Sequence, residues 1–457
     1  MTLHPFFHAV CIACALIAMS INQSARAADT SVPKTPFSAA LDADLSAIAS
    51  DAAHPLASLS VLAIRNGRVV YQQQFGRRHI DSDAPGKSLP ADAATMYRIA
   101  SISKLVTTLG VMKLIEDGKL ALDTDISDYL GYRLRNPHFP DDAITLRMLL
   151  IHTSSLRDDA GYYWAAPLAL KEVLLPGGSL YGNGAMWAAN ARPGAYFSYA
   201  NLPWGVIGTI MERVTGERFD RLMTRLILQP MNLHGGFNPA DFPAADIRNV
   251  ATLYRKRTEV ADKEIWNPAG PWVPQVDDYS KQAPEPRAGP DYAIGSNGTL
   301  FGPQGGLRIS AADLGSIMLM LMNDGNLNGQ PILKKQTVDL MLFPQWHYDA
   351  AANGDNYRGL YQAWGLGNQQ FLDVSSAGSG DRLVENGGFS ALGHLGDAWG
   401  LTSAFAFNRS TKNGVIFMTG GPGFDPEKYR GKYSSLYRHE ERILTTLYRN
   451  ALVGHVK

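Results

Sequence analysis

Two strand pairs at opposite ends of the chain constrain its fold more than any other feature. Residues 59–64 and 69–75 are strand-like and flank Asn66-Gly67, a pair suited to a two-residue type I′ hairpin because both residues tolerate positive φ. Near the other end, 401–407 and 415–418 repeat the pattern, with a turn predicted around Asn413-Gly414. Each pair has a helical neighbour. Leu41, Leu45 and Ile48 recur at helical spacing within 37–53, and a helix over 434–452 places Leu436, Ile443, Leu447 and Tyr448 on one face. Strands that must bury apolar faces, each beside a helix, predict one antiparallel sheet built from both chain ends and flanked by helices. The class is α/β, of the α+β type.

The middle of the chain reads differently. Residues 105–117, 145–151, 205–215 and 219–227 carry helical periodicity, which predicts an all-helical region inserted within the sheet-forming halves. The expected organisation is a sheet domain of residues 37–112 and 290–452, and a helical region with active-site loops over 113–289. Residues 250–301 are rich in Pro, Gly and polar side chains, with Trp266, Trp272 and Tyr279 among them; such a segment is a functional rim or a lid. No internal repeat is present.

At the N-terminus an apolar stretch over 8–21 precedes Ala25-Arg26-Ala27, which predicts a signal peptide over 1–27 and export to the periplasm or beyond. The pattern lacks Lys or Arg in its first residues, so a buried N-terminal helix is the alternative reading. Cys11 and Cys14 both fall in this segment, leaving the mature chain of the 457-residue protein without thiols. Lys plus Arg number 42 and Asp plus Glu 42, so no net field favours nucleic acid or an anionic membrane as partner. No later segment is apolar for long enough to span a bilayer. There is no H-E-x-x-H, the histidines are dispersed, and no G-x-S-x-G elbow occurs, so neither a metal, a cofactor nor an α/β-hydrolase triad is expected.

The strongest chemical signal is Tyr97-Arg98-Ile99-Ala100-Ser101-Ile102-Ser103-Lys104, a strand-like lead into a helix whose first turn carries Ser and Lys three residues apart. That spacing puts both side chains on one helix face. A serine hydroxyl needs a base to attack a carbonyl, and an amine serves if burial keeps it neutral. The ordinary alternative is an N-cap serine followed by a surface lysine, and the motif alone does not separate the two.

Further elements do. Leu149-Leu150-Ile151-His152-Thr153-Ser154-Ser155-Leu156, then Pro193 to Asn201 with Tyr199-Ala200-Asn201, then Gly305-Gly306-Leu307 before Ser310 to Leu314, then Gly393-His394-Leu395-Gly396 follow in order. With Ser101-x-x-Lys104, this series resembles the serine β-lactamase and penicillin-binding-protein superfamily, in its class C-like branch of carboxylesterases and D-amino-acid peptidases, over residues 57–419. The resemblance implies Ser101 as nucleophile assisted by Lys104, and Tyr199 as a proton shuttle to the leaving group; which of Lys104 and Tyr199 is the main base stays open. It implies that Asn201 holds Lys104 and the substrate's acyl side. His394-Leu395-Gly396 stands where the family carries Lys-Thr-Gly on an edge strand, with Gly396 admitting substrate backbone, and the N–H of Asp397 completes an oxyanion hole with that of Ser101. His152 is expected to be structural. Tyr162, Tyr163 and Trp164 are candidates for the cleft wall.

A histidine in place of lysine weakens any anchor for a substrate carboxylate, and an unperturbed imidazole would restore it below about pH 6.5. The expected activity is hydrolysis of small-molecule esters or amides through an acyl-enzyme. Esters come first, D-residue peptides second and β-lactams third. The alternative of another class is a non-catalytic or slowly deacylating binding or sensor protein.

Overall fold

The computed structural model describes residues 36–260, 263–349 and 353–453, all within one compact unit, Lys34–Lys457. The expected signal peptide lies outside the described residues. The chain enters through helix α1 (Pro36–Ala49) and strands β1 (Ser58–Arg65) and β2 (Arg68–His79). Asn66 and Gly67 take φ of 52° and 73°, as a type I′ turn requires. Strand β3 (Met96–Arg98) then leads into helix α2 (Ile102–Glu116), and helix α3 (Leu202–Thr215) follows after a long looped stretch with short helices. Strand β4 (Arg308–Ser310) runs directly into helix α4 (Ala311–Met322), where Ser310 Oγ caps the helix by accepting from the Asp313 N–H. Strands β5 (Ala363–Gly365), β6 (Asn368–Phe371), β7 (Ala391–Ala398), β8 (Leu401–Asn408) and β9 (Asn413–Thr419), then helix α5 (Arg438–Leu447), complete the frame.

The main sheet is nine-stranded and antiparallel, ordered β5-β6-β7-β8-β9-β1-β2 between two-residue edge strands at Trp346–His347 and Leu89–Pro90. Both chain ends meet at its centre, where Val61 of β1 lies opposite Phe417 of β9. Alternate residues serve two cores. Leu62, Ile64, Phe405, Ile416 and Met418 face the core shared with α2, α3 and α4, whereas Leu59, Val61, Ala404 and Phe417 face one shared with α1 and α5. Burial on both faces explains why the central strands read as near-continuous apolar runs. It also explains α2, which is buried nearly all round because it lies in the middle of the larger core.

Three details depart from the sequence reading. Asn413-Gly414 is not the turn of the second hairpin, because Asn413 pairs with Asn408 and Gly414 with Phe407; the turn is residues 409–412, with Lys412 at φ 53°. Gly414 is explained by packing instead, since a Cβ there would lie 2.3 Å from Met318 Sδ. Helix α5 starts at Arg438 rather than 434, and its last turns widen to a π-helix over Tyr448–Val453. The 250–301 segment forms two small antiparallel pairs, Leu253–Arg255 with Val273–Val276 and Arg257–Val260 with Lys263–Trp266. Among the described residues no helix is long and apolar enough to cross a membrane.

Candidate active site

Ala100, at φ 47°, bends the chain sharply between β3 and α2 and delivers Ser101 to the helix start. A non-glycine residue in that region stores strain, and the packing of Tyr97, Ile99 and Ile102, each fully buried, holds it. Ser101 takes the N-cap position but makes no capping hydrogen bond. Its Oγ stands 3.0 Å from Lys104 Nζ instead, and the Tyr199 hydroxyl lies beside it. Lys104 is fully buried, and its other partners are Asn201 Oδ1 at 2.8 Å and the Gln304 carbonyl at 3.1 Å. Desolvation pulls its pKa down from 10.5 to about 7, against the opposing pull of the Asp158 carboxylate. This is not a surface lysine beside a capping serine.

Tyr199 is placed from both sides. The Ser198 N–H donates to the His152 carbonyl at 2.9 Å, and the Ala200 N–H donates to His152 Nδ1 at 3.2 Å. The His152 ring lies 4.5 Å from that of Tyr199, while Tyr361 stacks on it at 5.3 Å. Burial raises the Tyr199 pKa above 10 and drives His152 well below 6.5, so one stays a phenol and the other a neutral imidazole. His152 thus packs against Tyr199 and holds the backbone on either side of it.

Asn201 opens α3 and is held by Asp158, a residue no sequence motif marks. Asp158 accepts from the Asn201 N–H, from Asn201 Nδ2 and from the Leu202 N–H, each at 2.8 Å. One hydrogen of the Asn201 amide is therefore committed to Asp158, leaving one for the substrate-side role that the resemblance implies.

Strand β7 faces the nucleophile. Its pairing with β6 ends at Gly393, and the residues beyond run past Ile99 and Ala100. A Cβ on Gly396 would meet Ile99 O at 2.5 Å and Ser403 Oγ at 2.4 Å, so glycine there admits the backbone that leads to the nucleophile. Asp397 follows, exposed, opposite Thr402 of β8. His394 is 2 % exposed, with Nδ1 2.5 Å from the Leu395 carbonyl, Nε2 unpartnered, and the ring 6.2 Å from that of Tyr199. Burial, with Lys104 nearby, lowers its pKa to about 3. The expectation that His394 gains charge through pH 6.5 is thereby corrected.

Near Tyr199, Tyr162 and Tyr357 are exposed at 37 % and 39 %; Tyr163 is exposed at 51 %. Tyr357 donates to the Tyr199 carbonyl at 3.3 Å. Trp164 instead ties its loop down, donating through its N–H to Thr299 Oγ1 and accepting from Asn297 Nδ2. Trp266 and Trp272 pack against Arg255 and Lys256. Asp158, Tyr357 and Tyr361 were not legible as site residues, since an isolated Asp or Tyr on a loop carries no spacing signal.

A two-ended antiparallel sheet between helix layers, with Ser and Lys on the first turn of a buried helix, defines the class of the β-lactamase/transpeptidase fold. The chain belongs to the beta-lactamase family, whose model matches residues 45–436. It is 26% identical over 174 residues to Protein flp of Staphylococcus aureus (strain N315), a stretch covering 38% of this chain and 33% of that protein. The chain thus spans about a third of the length of that curated relative. Two solved structures share the fold. A penicillin-binding protein homologue from Pyrococcus abyssi, described as octameric, has a TM-score of 0.58 at 23% identity over 85% of this chain and 74% of that one. EstCE1, described as a hydrolase with promiscuous acyltransferase activity, has a TM-score of 0.58 at 21% identity over 90% of this chain and 99% of that one.

Proposed function

We propose that this protein is an exported serine hydrolase that works through an acyl-enzyme on small uncharged esters, with Ser101 as nucleophile and Lys104 as base. The observation that carries the reading is the hydrogen-bond set of Lys104. A neutral amine has two hydrogens and one lone pair. Asn201 Oδ1 and the Gln304 carbonyl only accept, so they take the two hydrogens, and the lone pair falls on the Ser101 hydroxyl. As Ser101 Oγ attacks the ester carbonyl, its proton passes to Lys104. The N–H groups of Ser101 and Asp397 receive the oxyanion. Collapse expels the alcohol, protonated through the Tyr199 phenol, which recovers its proton from Lys104. Water then repeats the sequence on the acyl-enzyme and frees the acid.

Esters are favoured because the neutral His394 offers no charge to a carboxylate and the exposed groups near Tyr199 include Tyr162 and Tyr357. A second reading, acyl transfer to an alcohol, shares every step but the last and is supported by the description of EstCE1. Export would follow cleavage after Ala27.

The test is intact-protein mass spectrometry of the mature chain and its Ser101→Ala variant after exposure to p-nitrophenyl butyrate, a penicillin and a fluorophosphonate, with nitrophenol release followed in parallel. Ser101-dependent labelling with fast release is expected. A long-lived penicilloyl adduct with little ester turnover would move the assignment to a penicillin-binding peptidase or sensor. No Ser101-dependent adduct and no turnover would reject catalysis.

A further inference from the structure

Lys104 is aimed at Ser101 only while Asn201 presents its carbonyl, not its NH2, to the amine. Nothing in Asn201 itself fixes that choice, because the two ends of a primary amide have nearly the same shape. Asp158 fixes it. Its carboxylate, at the start of the segment after Leu156 and partly buried, has only acceptor sites. Oδ1 accepts from the N–H groups of Asn201 and Leu202, and Oδ2 accepts from Asn201 Nδ2 and again from the Asn201 N–H, all at 2.8 Å. The first two are free N–H groups at the N-terminus of α3, where negative charge is stabilised and where Asn201 makes no side-chain cap of its own. With NH2 held on Asp158, Oδ1 is left for Lys104 at 2.8 Å.

We propose that Asp158 is a positioning residue that locks the Asn201 amide and so sets the pH at which Lys104 becomes available as the base. The inference rests on the hydrolase reading above. Two effects act in one direction. The carboxylate stabilises the ammonium form through space, and the locked amide gives that form an acceptor rather than a donor. Other groups around Lys104 do not substitute for it. His152 and His394 are buried neutral imidazoles whose pKa values Lys104 itself helps depress, and Tyr199 presents its ring face 4.9 Å away as an un-ionised phenol.

Removal of the charge in Asp158→Asn frees the amide to turn and leaves the ammonium less favoured, so Lys104 becomes neutral at lower pH. A carboxylate one amide group beyond the amine acts over roughly 6 to 7 Å, which at an effective dielectric of about 20 to 40 corresponds to a shift of about one to two pH units.

The experiment is the rate of Ser101 labelling by a fluorophosphonate, followed by intact mass from pH 4.5 to 9.5, for wild type, Asp158→Asn and Asp158→Glu. The acid limb is expected near pH 7 in wild type, about one to two units lower in Asp158→Asn, and back near the wild-type position in Asp158→Glu. If Asp158 only tethers its loop, Asp158→Asn lowers the melting temperature and the plateau rate while the limb stays in place, and that overturns the inference with the hydrolase intact. If wild type is not labelled at Ser101, the hydrolase reading fails and this inference falls with it. Should Asp158→Asn not fold by thermal melting, Asp158→Ser, whose hydroxyl still accepts from the start of α3, carries the same expected shift.

Discussion

The burial of Lys104 makes a quantitative demand on the pH dependence of the wild-type enzyme. With its pKa near 7, about a tenth of Lys104 is neutral at pH 6 and about nine tenths at pH 8. The kcat/KM for p-nitrophenyl butyrate should therefore rise about tenfold over that interval and flatten above it. A lysine left at the ordinary 10.5 would give about a hundredfold over the same interval, with no plateau below pH 9. The inflection can be assigned because the neighbouring groups titrate elsewhere: His394 is down near 3, His152 is also well depressed, and Tyr199 is raised above 10. The assay is initial nitrophenol release at constant ionic strength, corrected for the spontaneous reaction measured with Ser101→Ala. A rate that climbs tenfold per unit through pH 9 would refute the argument, because it would mean that an unperturbed Lys104 or a Tyr199 phenolate takes the proton.

Three other outcomes follow from named contacts. Gly396→Ala should lower kcat/KM at least tenfold and cost about 1–3 kcal/mol in urea unfolding, since its methyl would have to displace the Ile99 carbonyl and Ser403 Oγ from the nucleophile's turn. Asp277→Asn leaves Arg308, 1 % exposed like its partner, without its counter-ion, and should cost about 3–5 kcal/mol by the same measurement. Inhibition by a simple carboxylate should tighten as pH falls through 7, because Lys104 then gains its charge, and the trend should persist in His394→Gln. Loss of the trend in that variant would return the anion-binding role to the histidine.

What the sequence made legible follows from how local each determinant is. The β1–β2 turn was readable because Asn66 and Gly67 supply positive φ within two adjacent residues. The second turn was misread because Asn413-Gly414 has the same letters for another reason, the Met318 sulfur above β9. Ser101 and Lys104 were readable because one helical turn fixes their relation, and Tyr199 and Asn201 because the family resemblance places them. Asp158 was not, since its role depends on a loop crossing the start of α3, a contact 43 residues apart in the chain. His394 was expected to gain charge near pH 6.5, and its burial holds it neutral instead. Its identity is in the sequence, but the burial that sets its charge belongs to the packing of Trp364 and Tyr199 around it.

The Gly305-Gly306 element, recognisable in sequence but without an evident task there, gains one from the hydrogen bonds around it. Five successive carbonyls, from Pro303 to Leu307, are each taken by a group on β3, β4, α2 or the turn between β3 and α2. Thr107 Oγ1 donates to Pro303, Lys104 Nζ to Gln304, Arg98 Nε to Gly305, Arg308 Nη1 to Gly306, and the Ile99 N–H to Leu307. The Leu307 N–H returns a bond to Ser103 Oγ at 3.1 Å. Side chains would block so close a course: a Cβ on Gly306 would lie 2.6 Å from the Phe301 carbonyl. The strained turn at Ala100 and the buried amine of Lys104 both oppose folding locally. This stitched backbone holds them in place, and it does so with carbonyls, which can only accept. Because the Gln304 carbonyl and Asn201 Oδ1 offer Lys104 only acceptors, the neutral amine of the proposed mechanism keeps its lone pair for the hydroxyl of Ser101.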